Sequence, residues 1–221
     1  MTDFVDVPAL SIVVSTIGRP DAMARLLESL VNQTVTERFE LIVVDQSEDQ
    51  GSARIVNEAN LPFHAVTTTS GRGACRGRNV GTALARGRLL AFPDDNCQYT
   101  PTAVEEVIAK MSTSSNLGIL SGLLVTAEGS PSMLRWPDAR CAITRSNIQR
   151  TAIEATVFIR RDIFVAVGGF DEAIGVGSAG PYQAGEATDL ILRSLNTGAQ
   201  AVFDPHVHII HEDSRQVVEQ N

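Results

Sequence analysis

The sequence predicts an α/β domain with a doubly wound, mostly parallel central sheet flanked by helices, Rossmann-like in plan. Two observations carry this expectation. Over the first hundred residues, short β-branched apolar runs alternate with segments whose apolar residues recur at helical spacing, the pattern of βαβ units. Polar residues at Thr16, at Asp45 and at 94–96 stand just past the ends of three of those runs, where open α/β sheets bind ligands.

The elements follow in order. Residues 10–15 read as a buried strand, broken by Thr16-Ile17-Gly18-Arg19-Pro20. A helix starts at Pro20-Asp21 and carries Met23, Leu26, Leu27, Leu30 and Val31 on one face. Residues 39–44 form a second strand ending at Asp45, 50–59 a helix, and 63–67 a third strand. After the loop 70–73 comes a helix over 74–86, closed by Gly87, and then a fourth strand over 88–92. The second half is less regular. It holds a helix over 101–111, a strand over 117–125 containing Gly118 and Gly122, and a polar stretch over 130–150. An alternating strand over 152–159, a helix over 185–195 and short strands over 199–203 and 207–210 complete it. The whole chain, 1–221, is expected to be one domain, with a ligand-binding half at 1–100, a second half at 101–213, and a tail at 214–221.

Composition narrows the function. With 221 residues, 43% hydrophobic and 20% charged, the chain can bury a full core. A net charge of −8 argues against nucleic acid as a partner, because phosphate backbones select basic faces. Cys75, Cys97 and Cys141 are odd in number and far apart, which predicts reduced thiols and a cytoplasmic setting. The first residues are acidic and show no signal-peptide pattern, and no apolar run reaches the ~18–20 residues of a membrane span. A peripheral contact at the inner face of a membrane is left open.

The chemistry concentrates at Phe92-Pro93-Asp94-Asp95-Asn96-Cys97. Adjacent carboxylates repel unless a cation lies between them, and such oxygen-rich clusters suit Mn²⁺ or Mg²⁺ held together with substrate phosphates. The bland alternative is a turn. Thr16 and Arg19 occupy a strand-to-helix turn where backbone N–H groups favour anions. Arg72, Arg76 and Arg78 cluster in an otherwise acidic chain and could pair with a diphosphate. Asp45 has two roles open to it, accepting hydrogen bonds from a base or ribose, or capping the helix that follows. Asp189 shares a helix face with Glu186 and also stands four residues before Arg193, a natural ion-pair spacing. His206 and His208 alternate on one strand face, as a metal pair or as packed histidines. Trp136 either stacks on an acceptor or packs.

Taken in order, Ser11-Ile12-Val13-Val14-Ser15-Thr16 with Arg19-Pro20, Leu41-Ile42-Val43-Val44-Asp45, and Arg76-Gly77-Arg78-Asn79-Val80-Gly81 resemble the motifs of family-2 nucleotide-sugar glycosyltransferases with the GT-A fold. Phe92-Pro93-Asp94-Asp95-Asn96, Gly168-Gly169-Phe170-Asp171 and Gly185-Glu186-Ala187-Thr188-Asp189-Leu190 continue the series, so that the resemblance covers roughly residues 10–212. The resemblance implies an inverting, metal-assisted transfer of a sugar from a nucleoside-diphosphate sugar donor to the hydroxyl of a glycan, lipid-linked or small-molecule acceptor, as in polysaccharide biosynthesis. It implies nucleotide binding by Thr16, Arg19, Asp45, Arg78, Asn79, Asp94 and Asp95, and Mn²⁺ or Mg²⁺ bound by Asp95, Asn96 and His211. Two departures stand out. Asn96 falls where a metal-binding carboxylate is usual, which weakens the site or shifts it to Asp95. Ala187 falls where the catalytic acid is usual, which moves the base to Glu186, with Asp189 second. These departures keep open a sugar-nucleotide-binding protein or a nucleotidyltransferase on a related fold.

Overall fold

The computed structural model describes residues 7–212; the tail at 214–221 and the first six residues lie outside it. The expected alternation is present through the first half: β1 (Leu10–Thr16), α1 (Pro20–Val31), β2 (Phe39–Asp45), α2 (Gly51–Glu58), β3 (His64–Thr69), α3 (Ala74–Leu84) and β4 (Leu89–Ala91). β3, β2, β1 and β4 lie side by side and all run parallel, with Thr16 beside Asp45 at the carboxyl edge. Period-two patterning puts Ile12, Val14, Leu41 and Val43 on one face, under α1 and α2. Val13 and Ile42 lie on the other, under α3.

The second half extends this parallel sheet with antiparallel strands. It contains β5 (Cys97–Tyr99), α4 (Ala103–Ser112), β6 (Leu117–Val125), β7 (Cys141–Ala142), β8 (Val157–Arg160), α5 (Arg161–Ala166), α6 (Glu186–Asn196) and β9 (Gln200–His211). β8 runs antiparallel to both β4 and β6, and β5 and β7 run antiparallel to β9, so the sheet is mixed. Residues 152–159 are a strand only from Val157; a 3-10 turn at Glu154–Thr156 precedes it, with Ser121 and Thr156 hydroxyls bonded 2.9 Å apart beneath. The two short strands expected near the end are one strand, β9, whose register against β6 shifts between Ser121 and Leu123. Pro205 lies in that shifted stretch, where it need not donate to the ladder. Gly122 faces it, and a Cβ there would stand 2.5 Å from the Val207 carbonyl oxygen.

Both faces of the sheet are covered. α1, α2 and α4 pack on one, and α3, α5 and α6 on the other, with Phe92, Phe164 and Phe170 in a mutual aromatic cluster. α3 lies unusually close, because Gly77 and Gly81 face β1 and β2; a Cβ on Gly81 would come 2.5 Å from a Val13 methyl. That closeness buries the residue next to Gly77, Arg78. No helix among the described residues is long and apolar enough to cross a membrane.

Candidate active site

A cleft opens at the carboxyl edge of β1, β2 and β4. Its floor is built by the acidic turn after β4. Asp95 is fully buried; Thr16 Oγ1 donates to its Oδ2 at 2.5 Å and the Arg19 guanidinium lies 2.8 Å from its Oδ1. Burial pushes the Asp95 carboxyl above its ordinary range, against the downward pull of Thr16 and Arg19, and Asp94 adds to the rise. Asp94 accepts a 2.9 Å bond from Arg78 Nη2. Arg78 is itself only 3% exposed and sits over the Phe170 ring at 5.6 Å. Its Nη1 lies 3.6 Å from Glu186 Oε1, and neither that nitrogen nor Nε has a hydrogen-bond partner among the described residues.

Glu186 begins α6 and is buried, 3% exposed, at the cleft wall. Gly175, at φ +93°, passes so near that a Cβ would stand 3.1 Å from the Glu186 carboxylate. The stretch around it, 174–183, is tied across the cleft: Ala74 N–H donates to the Val176 carbonyl at 2.9 Å, and Gln183 Oε1 accepts from Gly177 N–H. Val176 and Gly177 thereby line the cleft opposite Thr16 and Gln46. Cys75 lies against the same place, its thiol pushed up to about 12 by burial, and burial raises the Cys97 thiol as well; both are packed, unreactive thiols.

Three sequence-predicted site residues, Asp45 and Asn79 as nucleotide ligands and Asp189 as a catalytic acid, spend their hydrogen bonds on the framework. Asp45 is completely buried, accepts from Ser47 N–H and Oγ at one oxygen and from Ala53 N–H at the other, and so caps α2. The cleft residue at that strand end is Gln46 instead. Asn79 accepts from Phe170 N–H at 3.0 Å and donates to Phe170 O and Glu172, which spends its amide on pinning the Gly168-Gly169-Phe170 turn to α3. Asp189 is held by Arg193 at 2.5 and 2.9 Å, and the same Arg193 donates to Val167 O; this pair locks α6 to the turn after α5. Trp136 packs, stacked 5.5 Å from Phe203 with its N–H on Ser132 O. His208 bonds the Pro205 carbonyl and His206 is exposed, so they form no metal pair.

Among the described residues no three His, Cys, Asp or Glu side chains gather as a self-sufficient metal centre. Of the predicted ligands, Asp95 is held by Thr16 and Arg19, so a cation would share its oxygens with them. Asn96 and His211 fit: the amide nitrogen lies 3.2 Å from His211 Nε2, and exchanging amide O for N sets an oxygen and an imidazole nitrogen side by side.

The sequence reading missed Glu154. It sits on the 3-10 turn before β8 and lines the cleft beside Arg78 and Glu186. Burial pushes its carboxyl up, Arg78 pulls it down, and Glu186 and Asp94 add to the rise. No motif surrounds it; only the packing of β8 between β4 and β6 carries it there. A second cavity, at the opposite ends of the strands, is lined by Arg88, Arg160, Ile108 and Met111. Its Arg160 is spent on the carbonyls of Met111, Ser114 and Leu117, a structural role.

Residues 11–164 match the model of Glycosyl transferase family 2. The chain belongs to this family. It is 33% identical over 113 residues to an uncharacterized glycosyltransferase of Haemophilus influenzae, covering 50% of this chain and 37% of that protein. It is 23% identical to the glucosyl-dolichyl phosphate glucuronosyltransferase of Haloferax volcanii, over 92% of this chain and 69% of the relative. Among solved structures, S. aureus TarS superposes with a TM-score of 0.75 at 17% identity, over 93% of this chain and 37% of TarS. The complex of TarS 1–349 with UDP-GlcNAc gives 0.66 at 20% identity, over 84% of this chain and 52% of that one. These likenesses establish the GT-A-type fold. The chain spans little more than a third of the length of TarS and of the Haemophilus relative.

Proposed function

We propose that this chain transfers a sugar, with inversion, from a nucleoside-diphosphate sugar to an acceptor hydroxyl. The observation that carries the proposal is the cleft itself, which brings exposed Arg19 and Arg72 together with the buried Glu186. The family membership and the UDP-GlcNAc complex of the TarS neighbour support a nucleotide-sugar donor. The Haloferax relative, named for a lipid-linked acceptor, makes a glycan or lipid-linked saccharide the favoured acceptor class, approached at the membrane surface.

In this mechanism Arg19 and Arg72 hold the diphosphate. Glu186 takes the proton of the acceptor hydroxyl as its oxygen bonds to the anomeric carbon from the face opposite the leaving group. The bond from that carbon to the diphosphate breaks, and its electron pair leaves with the nucleoside diphosphate. Thr16 and Arg19 fix Asp95, and Arg78 fixes Asp94, so the floor does not reorganise as charge moves. Mn²⁺ or Mg²⁺ held by Asn96, His211 and the substrate phosphates would supply Lewis-acid neutralisation of the leaving group.

The test is a thermal-shift panel of UDP, dTDP and GDP sugars with and without Mn²⁺, followed by NMR of the product's anomeric configuration. A retained configuration would reject inversion, and binding without any turnover would leave a sugar-nucleotide-binding protein. Asn96→Asp adds a charge at the cation position and should lower the Mn²⁺ concentration needed for half-maximal shift; an unchanged response removes Asn96 from the site.

A further inference from the structure

We infer that Glu154 and Glu186, set against the buried Arg78, form a subsite for an uncharged sugar ring and discriminate against donor sugars that carry a carboxylate. This rests on the nucleotide-sugar reading of the cleft.

Two independent observations meet here. The first is the unfilled hydrogen-bonding capacity of Arg78. One edge of its guanidinium is bonded to Asp94, yet Nε and Nη1 have no partner among the described residues, and the side chain is only 3% exposed. Buried donors of this kind call for an acceptor oxygen, here from a ligand in the cleft that Arg78 lines.

The second is the charge around those donors. Arg78 is shared by Asp94, Glu154 and Glu186, one cation against three carboxylates. Among the described residues Asp94 takes the one direct side-chain bond from Arg78. Glu186 stands at 3.6 Å, outside hydrogen-bond distance. A second anion placed here meets three carboxylates that already share this one buried cation. A phosphate or carboxylate can only accept hydrogen bonds, whereas a sugar hydroxyl accepts from Arg78 and donates to a glutamate at the same time. The subsite therefore fits the hydroxyls of a neutral sugar, and the diphosphate belongs at the exposed arginines, Arg19 and Arg72. On this chemistry the chain parts from its Haloferax relative, which is named for glucuronate transfer.

Isothermal titration of the full chain with UDP, UDP-glucose and UDP-glucuronate tests this, because the two sugars differ only in CH₂OH against COO⁻. UDP-galactose and UDP-galacturonate give a second matched pair of the other C4 configuration. Wild type should bind the neutral member of at least one pair about tenfold or more tighter than the uronate, since like charges juxtaposed at an interface are strongly disfavoured. Glu154→Gln keeps the shape and removes one charge. It should bring that ratio to about threefold or less while leaving UDP affinity unchanged, which a merely structural role for Glu154 would not do. Equal affinity for uronate and neutral sugars in wild type, or an unchanged ratio in Glu154→Gln, overturns the inference. If none of UDP, dTDP and GDP binds, with or without Mn²⁺, the nucleotide-sugar reading falls first, and the subsite with it; if only dTDP or GDP binds, the same comparison is made with the neutral and uronate sugars of that nucleotide.

Discussion

The cleft holds its arginines in two opposite ways. Arg19 is 53% exposed and Arg72 stands on an exposed loop, so their guanidinium groups remain in contact with water, Arg19 while paired to Asp95. Arg78 is instead buried, bonded to Asp94, 3.6 Å from Glu186 and over the Phe170 ring, with Glu154 lining the same cleft. An exposed cation adapts to an incoming diphosphate and contributes little to folding. A buried one is part of the fold, because removing it strands carboxylates out of water. The same residue type, a few positions apart on one loop and helix, is thus left free for a ligand at Arg72 and built into the architecture at Arg78.

The contrast breaks most sharply at Glu186. Glu186→Gln should lower turnover about 10²–10⁴-fold, the range for losing a general base. Asp189→Asn should change it little, because Asp189 is Arg193's partner. Steady-state kinetics on both variants decides, and a dead Asp189→Asn beside an active Glu186→Gln would reverse the assignment.

Arg78→Met should destabilise the fold by about 3–5 kcal/mol, the usual cost of breaking a buried ion pair. The sequence alone makes Arg78 a binding residue whose loss spares the fold; its burial makes it structural as well. Urea denaturation measures this, and a variant as stable as wild type would place Arg78 in solvent.

Arg72→Ala should do the converse, leaving the denaturation midpoint unchanged while weakening nucleoside-diphosphate binding by about 1.5–3 kcal/mol, as for a lost hydrogen bond to a charged group. Titration calorimetry that shows full affinity would remove Arg72 from the site.

The smallest effect concerns pH. The folded Glu154 carboxyl titrates above its unfolded value near 4.5, so its ionisation opposes folding. Below pH 4.5 it is protonated in both states and imposes no penalty; the penalty grows as pH rises through the raised folded value. Glu154→Gln should therefore melt higher than wild type at pH 7 and match it near pH 4. A constant difference across that range would assign the effect to packing.

The sequence by itself determined the βαβ half, because buried parallel strands and amphipathic helices leave local periodic signatures: β1, α1, β2 and α3 stand within a few residues of their expected bounds. It also placed Thr16, Arg19, Arg78, Asp94, Asp95 and Glu186 in one site, since strand ends converge on one rim in such sheets. What only the tertiary structure decided was how each polar group spends its hydrogen bonds. Asp45 looks from its position like a ligand and is a helix cap; Asn79 matches a motif and pins a turn; Asp189 sits beside Glu186 and belongs to Arg193. Glu154 carries no local signal at all, because it reaches the cleft through β8, an antiparallel strand inserted between β4 and β6 from far along the chain. Periodicity records which face of an element is buried, whereas the partner of a buried charge is set by segments distant in sequence, and no local pattern encodes that choice.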